Sequence, residues 1–248
     1  MAHTTISCLA LATALYLPAA ALFAADPKPL WGYPGFEPAA DAREPVQGKS
    51  SVPGQLLFPS PDKRYAISWP SGEETQKLGN EVANHLVDLQ SGKSIHLIAK
   101  GDDADFEQKN HSELDALWRA DSRAVLVRFD AKWGARSLLL LTIAEDGKVQ
   151  ADELTLPARK ELLKVIKKQA AKFWKNGDDA QAFDASFGCE FSPDGKTLNL
   201  MALGETNPKM MTGQARIVAN LTASFDPATH ALTAKSGKIT EAKIVKEE

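Results

Sequence analysis

The 248-residue chain has only two cysteines, and Cys8 falls in a leading segment that also lacks every Asp, Glu, Lys and Arg up to residue 25. Cys189 is thus the one thiol left after that segment, so no intramolecular disulfide forms and the body depends on its core. Charge of one sign is not in excess: 29 basic residues stand against 32 acidic ones, a formal net charge of -3. That balance excludes the overall basic character of a nucleic-acid binder. After residue 25 no apolar run approaches the 18 or so residues a membrane-spanning helix needs. Nor is there a G-x-S-x-G elbow, an H-E-x-x-H helix or a phosphate-binding glycine loop, which removes the commonest hydrolase and nucleotide-binding signatures.

The first 25 residues are almost wholly apolar from Ile6 onward, and Pro18 precedes the small residues Ala19, Ala20, Ala21, Ala24 and Ala25. This pattern predicts a secretory signal peptide over 1–25, cleaved after Ala21, Ala24 or Ala25, and an exported protein, periplasmic or secreted. Residues 26–54 carry prolines at 27, 29, 34, 38, 45 and 53 and glycines at 32, 35, 48 and 54. Such a stretch is neither helix nor central strand. It reads as an extended tether whose Leu30, Trp31, Tyr33 and Phe36 pack on the body.

From residue 55 to 248 short apolar runs alternate with turn residues, the mark of antiparallel β-structure. The strands expected are 55–58, 65–69, 85–89, 94–99, 114–119, 124–129, 137–143 and 149–154, then 182–191, 197–203, 215–225, 231–235 and 238–245. Three segments repeat one pattern: Phe58-Pro-Ser-Pro-Asp-Lys-Arg-Tyr, Trp118-Arg-Ala-Asp-Ser-Arg-Ala-Val and Phe191-Ser-Pro-Asp-Gly-Lys-Thr-Leu. In each, an aromatic residue ends a strand, an aspartate at 62, 121 or 194 caps a tight turn, and a basic residue leads into the next strand. Ser91-Gly92-Lys93 and Asp146-Gly147-Lys148 supply a second hairpin turn in the first two units. Each unit therefore reads as a meander of about four strands.

These corners resemble the S-P-D-G-K blade signature of the TolB and WD40-like β-propellers. The resemblance implies an exported binding scaffold and brings no catalytic residues. The aspartates step by 59 and then 73 residues, from 62 to 121 to 194, where regular blades repeat every ~40–45 residues. An incomplete or dimer-completed propeller and a two-sheet β-sandwich both remain open. The fold class expected is all-β, mainly antiparallel, with one inserted amphipathic helix.

That helix is predicted over 157–175. Pro157 suits its first turn, Asn176-Gly177 its end, and Leu162, Ile166, Gln169, Ala170 and Phe173 share a stripe. Lys160, Lys164, Lys167, Lys168 and Lys175 line the other side, as a solvated face or as a contact for an anionic partner.

Cys189 falls on the apolar side of the alternation Phe183, Ala185, Phe187, Cys189, Phe191, as a buried structural thiol would. His85 and His96 lie on strands expected to pair, and a shared metal would need a third ligand. The acidic run Asp102, Asp103, Asp105, Glu107 lacks the spacing of a calcium loop. No cofactor, metal or catalytic residue is assigned. The function expected is a non-catalytic scaffold binding a protein or envelope ligand through its loops, Gly204 to Gln214 with Met210 and Met211 among them. The alternative is an envelope-polymer hydrolase whose carboxylates are brought together by the fold.

Overall fold

The computed structural model describes residues 44–100, 113–131, 134–206 and 215–244. They form three four-stranded sheets. Sheet I contains β1 (Gln55–Leu57), β2 (Tyr65–Trp69), β3 (Ala83–Asp88) and β4 (Lys93–Lys100). Sheet II contains β5 (Glu113–Trp118), β6 (Ala124–Ala131), β7 (Gly134–Ile143) and β8 (Val149–Glu153), and sheet III β9 (Asp184–Phe191), β10 (Leu198–Glu205), β11 (Ala215–Asp226) and β12 (Ala231–Ile244). Every pairing is antiparallel, and in each sheet the strands lie side by side in chain order. The fold is all-β, a succession of four-strand meanders.

Strand alternation in β6 shows how the sheets are layered. Val125, Val127 and Phe129 pack with Leu57, Tyr65, Ile67 and Leu86 of sheet I, whereas Ala124 and Leu126 pack with Phe187, Leu200 and Leu221 of sheet III. Sheet II is therefore the middle of three layers and β6 is apolar on both faces, so its run Ala124-Val-Leu-Val127 shows no alternation of polarity. On the far side of sheet I, Leu56, Ala66 and Val87 are covered by Val46, Val52 and Leu89. The described part of the expected tether thus packs on the body, its Val46 amide donating to the Leu56 carbonyl at 2.8 Å. Leu30, Trp31, Tyr33 and Phe36 lie outside the described residues, as does the leading segment.

The three repeated corners share one geometry. Each joins the first two strands of its sheet and places the residue after the aspartate in the left-handed region: Lys63 at φ 59, Ser122 at 61 and Gly195 at 68. Oδ1 of Asp62, Asp121 and Asp194 accepts the amide two residues on, from Arg64, Arg123 and Lys196, at 2.9–3.1 Å. The corners also touch one another. The Asp62 amide donates to Ser122 Oγ at 3.0 Å, and Arg119 Nη1 donates to the Gly195 carbonyl at 3.1 Å. Only the third corner has the glycine that a positive φ favours. Lys63→Gly should therefore raise stability by about 0.5–1 kcal/mol, and Gly195→Ala should lower it by a similar amount. Urea midpoints at constant m-value check both, and a destabilising Lys63→Gly contradicts the shared geometry.

Three expectations change. A second helix, α1 (Gly72–Leu78), follows β2; it has a complete capping box, with the Ser71 hydroxyl on the Glu74 amide and the Glu74 carboxylate on the Ser71 amide. The lysine-rich helix, α2, spans Thr155–Gln169 and not 157–175. It begins early because the Glu153 carboxylate accepts the Thr155 and Leu156 amides, and it ends early because the chain turns at Ala170 to bury Trp174 edge-on against Phe183, 6.0 Å away. The expected strands 231–235 and 238–245 are one strand, β12, continuous through Ser236-Gly237. Gly237 is a place of close approach, not a turn: a Cβ there would lie 2.2 Å from Val165 Cγ2 of α2. The long edge is guarded by two register shifts, by its lysines, and by Gln169, whose amide donates to the Gly237 carbonyl and accepts from the Ile239 amide. The third unit also has a second turn, between Asp226 and Ala231, with His230 at φ 54 where the first two units use Gly92 and Gly147.

Candidate functional site

Helix α2 fills the wedge between sheets II and III. Ala158, Leu162, Leu163 and Ile166 face Leu138 and Leu140 on one side and Phe183, Ala202 and Ile217 on the other. Its start is tied to β7, where the Leu138 amide donates to Thr155 Oγ1 at 2.7 Å. With that stripe buried, Lys160, Lys164, Lys167 and Lys168 are presented to solvent along the opposite face. Lys175 lies beyond the helix, also exposed. Lys164 pairs with Glu161 at 2.6 Å and Lys167 with Asp178. Among the described residues, no carboxylate lies within ion-pair distance of Lys160, Lys168 or Lys175. The face is held rigidly and is only partly neutralised.

The other candidates separate. Cys189 is buried in the core between sheets II and III, and its thiol is pushed up to about 12 by burial, against the opposing pull of Arg128. It is protonated at neutral pH and inert as a nucleophile. The pairing of β3 with β4 sets His85 opposite Leu97 and His96 opposite Leu86, with register shifts on either side of that pair of positions. The two histidines are not direct cross-strand partners. Burial holds both rings below the usual imidazole range, with His96 lowering His85 further, and His85 Nδ1 lies 2.9 Å from Ser94 Oγ. Among the described residues no group of three His, Cys, Asp or Glu side chains is placed to hold a metal. The acidic run 102–107, His111, Met210 and Met211 lie outside the described residues. At the junction of sheets II and III, His230 Nδ1 sits 2.9 Å from Asp152 Oδ1, tying the β11–β12 turn to β8.

A charged row on the outer face of sheet III is illegible without strand register. Asp184, Glu205, Val218 and Glu241 lie side by side across β9, β10, β11 and β12. Arg216 bridges two of the carboxylates, its Nη2 2.8 Å from Glu205 and its Nε 3.6 Å from Glu241. Burial raises the Asp184 carboxyl; Arg159 pulls it back and Glu205 pushes it further up. Arg159, itself lowered by burial, donates from Nη1 to the Phe183 carbonyl at 2.6 Å, anchoring α2 to β9. The row sets a carboxyl of raised pKa directly opposite one bound by arginine. Comparison with protein-family models, curated protein sequences and solved structures returned no match.

Proposed function

We propose that the chain is an exported, non-catalytic β-scaffold that attaches to an anionic lipid surface through the lysine face of α2. The observation that carries this reading is the wedge: one face of the helix is locked between two sheets, so Lys160, Lys164, Lys168 and their neighbours project as a preformed cationic stripe. Each lysine near an anionic leaflet contributes on the order of 1 kcal/mol, so a few uncompensated ones suffice for a peripheral, salt-sensitive contact. Export rests on the apolar, charge-free residues 1–25 and the small residues that follow Pro18. The equivalent geometry of the three corners supports reading the units as blades of the TolB and WD40 kind. Nucleic acid is disfavoured as a partner, because the aromatics beside the lysines, Phe173 and Trp174, pack into the core between sheets II and III and do not form a platform for stacked bases.

Co-sedimentation with vesicles tests the lipid reading. The protein is expected to bind phosphatidylcholine vesicles containing phosphatidylglycerol at 50 mM salt and to detach by about 0.5 M, where the Debye length falls to a few ångströms. Lys164→Ala/Lys168→Ala should weaken binding about tenfold or more with unchanged circular dichroism. Equal binding to neutral and anionic vesicles ends the reading. A second reading, the envelope-polymer hydrolase, is favoured by one observation, two carboxylates set directly opposite each other, Asp184 and Glu205, with the Asp184 carboxyl raised by burial as a general acid requires. It requires that Asp184→Asn abolish release of soluble sugars from envelope polysaccharide.

A further inference from the structure

Three large apolar side chains are exposed among the described residues: Leu97 in β4, Leu156 in α2 and Ile244 at the end of β12. Leu156 stands on the lysine face of α2. At ~3.6 residues per turn, positions 156, 160, 164 and 167 fall within one quadrant of the helix, so Leu156 leads a solvent-facing stripe through Lys160, Lys164 and Lys167 that is ~17 Å long. Leu156 is 38% exposed, with the half-buried Pro157 beside it. The first turn of a helix favours acidic residues, yet this one has none. The Glu153 carboxylate, reaching in from β8, accepts the Thr155 and Leu156 amides at 2.8 and 3.2 Å. That end of the helix is thereby closed to a further anion, and what its first turn offers outward is Leu156 and Pro157. Behind them the chain from Thr155 to Lys175 carries six lysines and one arginine against a single glutamate.

We infer, building on the lipid reading above, that Leu156 inserts among the acyl chains and fixes how the helix lies, first turn deepest, with Lys160, Lys164 and Lys167 on the headgroup phosphates. A lysine stripe alone holds a protein loosely and releases it in salt. An apolar side chain at one end of the stripe adds a contact that salt does not screen. Because the underside of α2 is locked between sheets II and III, the helix cannot roll the leucine away from the bilayer. Transfer of the exposed part of one leucine out of water changes affinity by about threefold to sixfold.

Two measurements on vesicles of phosphatidylcholine and phosphatidylglycerol separate this contact from that of the lysines. In the first, an environment-sensitive nitrobenzoxadiazole label is attached at Leu156→Cys in a Cys8→Ser background, where the buried Cys189 is the only other thiol. Its emission should shift to the blue on binding and be quenched by bromine on the acyl chains. The same label at Leu97→Cys, on sheet I and separated from α2 by sheet II, should stay in water. In the second, Leu156→Ala should bind about threefold to sixfold more weakly with unchanged circular dichroism, while Leu97→Ala binds as the unaltered protein does. A label at position 156 that stays in water, on protein that still needs Lys164 and Lys168 to bind, overturns the inference and leaves the lipid reading standing. Equal shifts at positions 156 and 97, or unchanged binding of Leu156→Ala, overturn it as well. If Lys164→Ala/Lys168→Ala binds like the unaltered protein, both fall together.

Discussion

Phe187→Ala is expected to lower the stability of the protein by about 3–5 kcal/mol. Phe187 is fully buried at the centre of β9, in the cluster that joins sheet III to Leu126, Leu138 and Leu140 of sheet II and to Leu162 and Ile166 of α2. Its cross-strand partner in β10 is Ala202, too small to fill the space left behind. The surrounding elements come from two sheets and a helix pinned at both ends, so the cavity collapses poorly and the cost falls at the upper part of the usual range. Phe187→Leu, which keeps most of the volume, should cost less than half as much. Urea denaturation at constant m-value measures both. A loss below 1 kcal/mol for the alanine would mean that sheets II and III do not share this core.

The second large effect concerns the contact between sheets I and II. Trp118 ends β5, stacks on Tyr65 with ring centroids 6.1 Å apart and planes inclined by 15°, and donates its indole N–H to the Phe58 carbonyl at 2.8 Å. Trp118→Ala removes the apolar area, the stacking and the hydrogen bond together, and about 3 kcal/mol should be lost. Trp118→Phe keeps a stacking ring but leaves the Phe58 carbonyl without its donor, for a loss of about 1–2 kcal/mol. Combining Trp118→Ala with Tyr65→Ala should cost less than the two single changes added together, since each removes the other's partner. Strict additivity would mean that the rings do not interact.

Much of this architecture is legible in the residues themselves. Turn chemistry located the three corners, because aspartate, proline and glycine act within a few residues of themselves, and period-2 alternation placed Cys189 in the core. Features that depend on distant partners were not legible. Ser236-Gly237 has the composition of a turn, yet the chain passes through it as strand because Val165, far away in sequence, needs the missing side chain. The break expected between strands 215–225 and 231–235 is a hairpin turn closed by Thr229-His230 without glycine, so it carries none of the Gly-Lys chemistry that marks the second turn of the first two units. The ends of α2 moved because Glu153 caps it from outside and Trp174 leaves it to meet Phe183. The row Asp184, Glu205 and Glu241 was hidden for the same reason: alternation assigns each to an outward position, but only register makes them neighbours.

The central claim is that sheet II is the inner layer of a three-layer stack, with β6 and β7 buried on both faces. Native-state hydrogen exchange measures this directly. Amides of Val125, Leu126, Val127, Leu140 and Leu141 should exchange slowest, with a free energy equal to that of global unfolding, while those of β12 exchange through smaller openings. Exchange of the β6 and β7 amides at rates typical of β12 would contradict the layered arrangement.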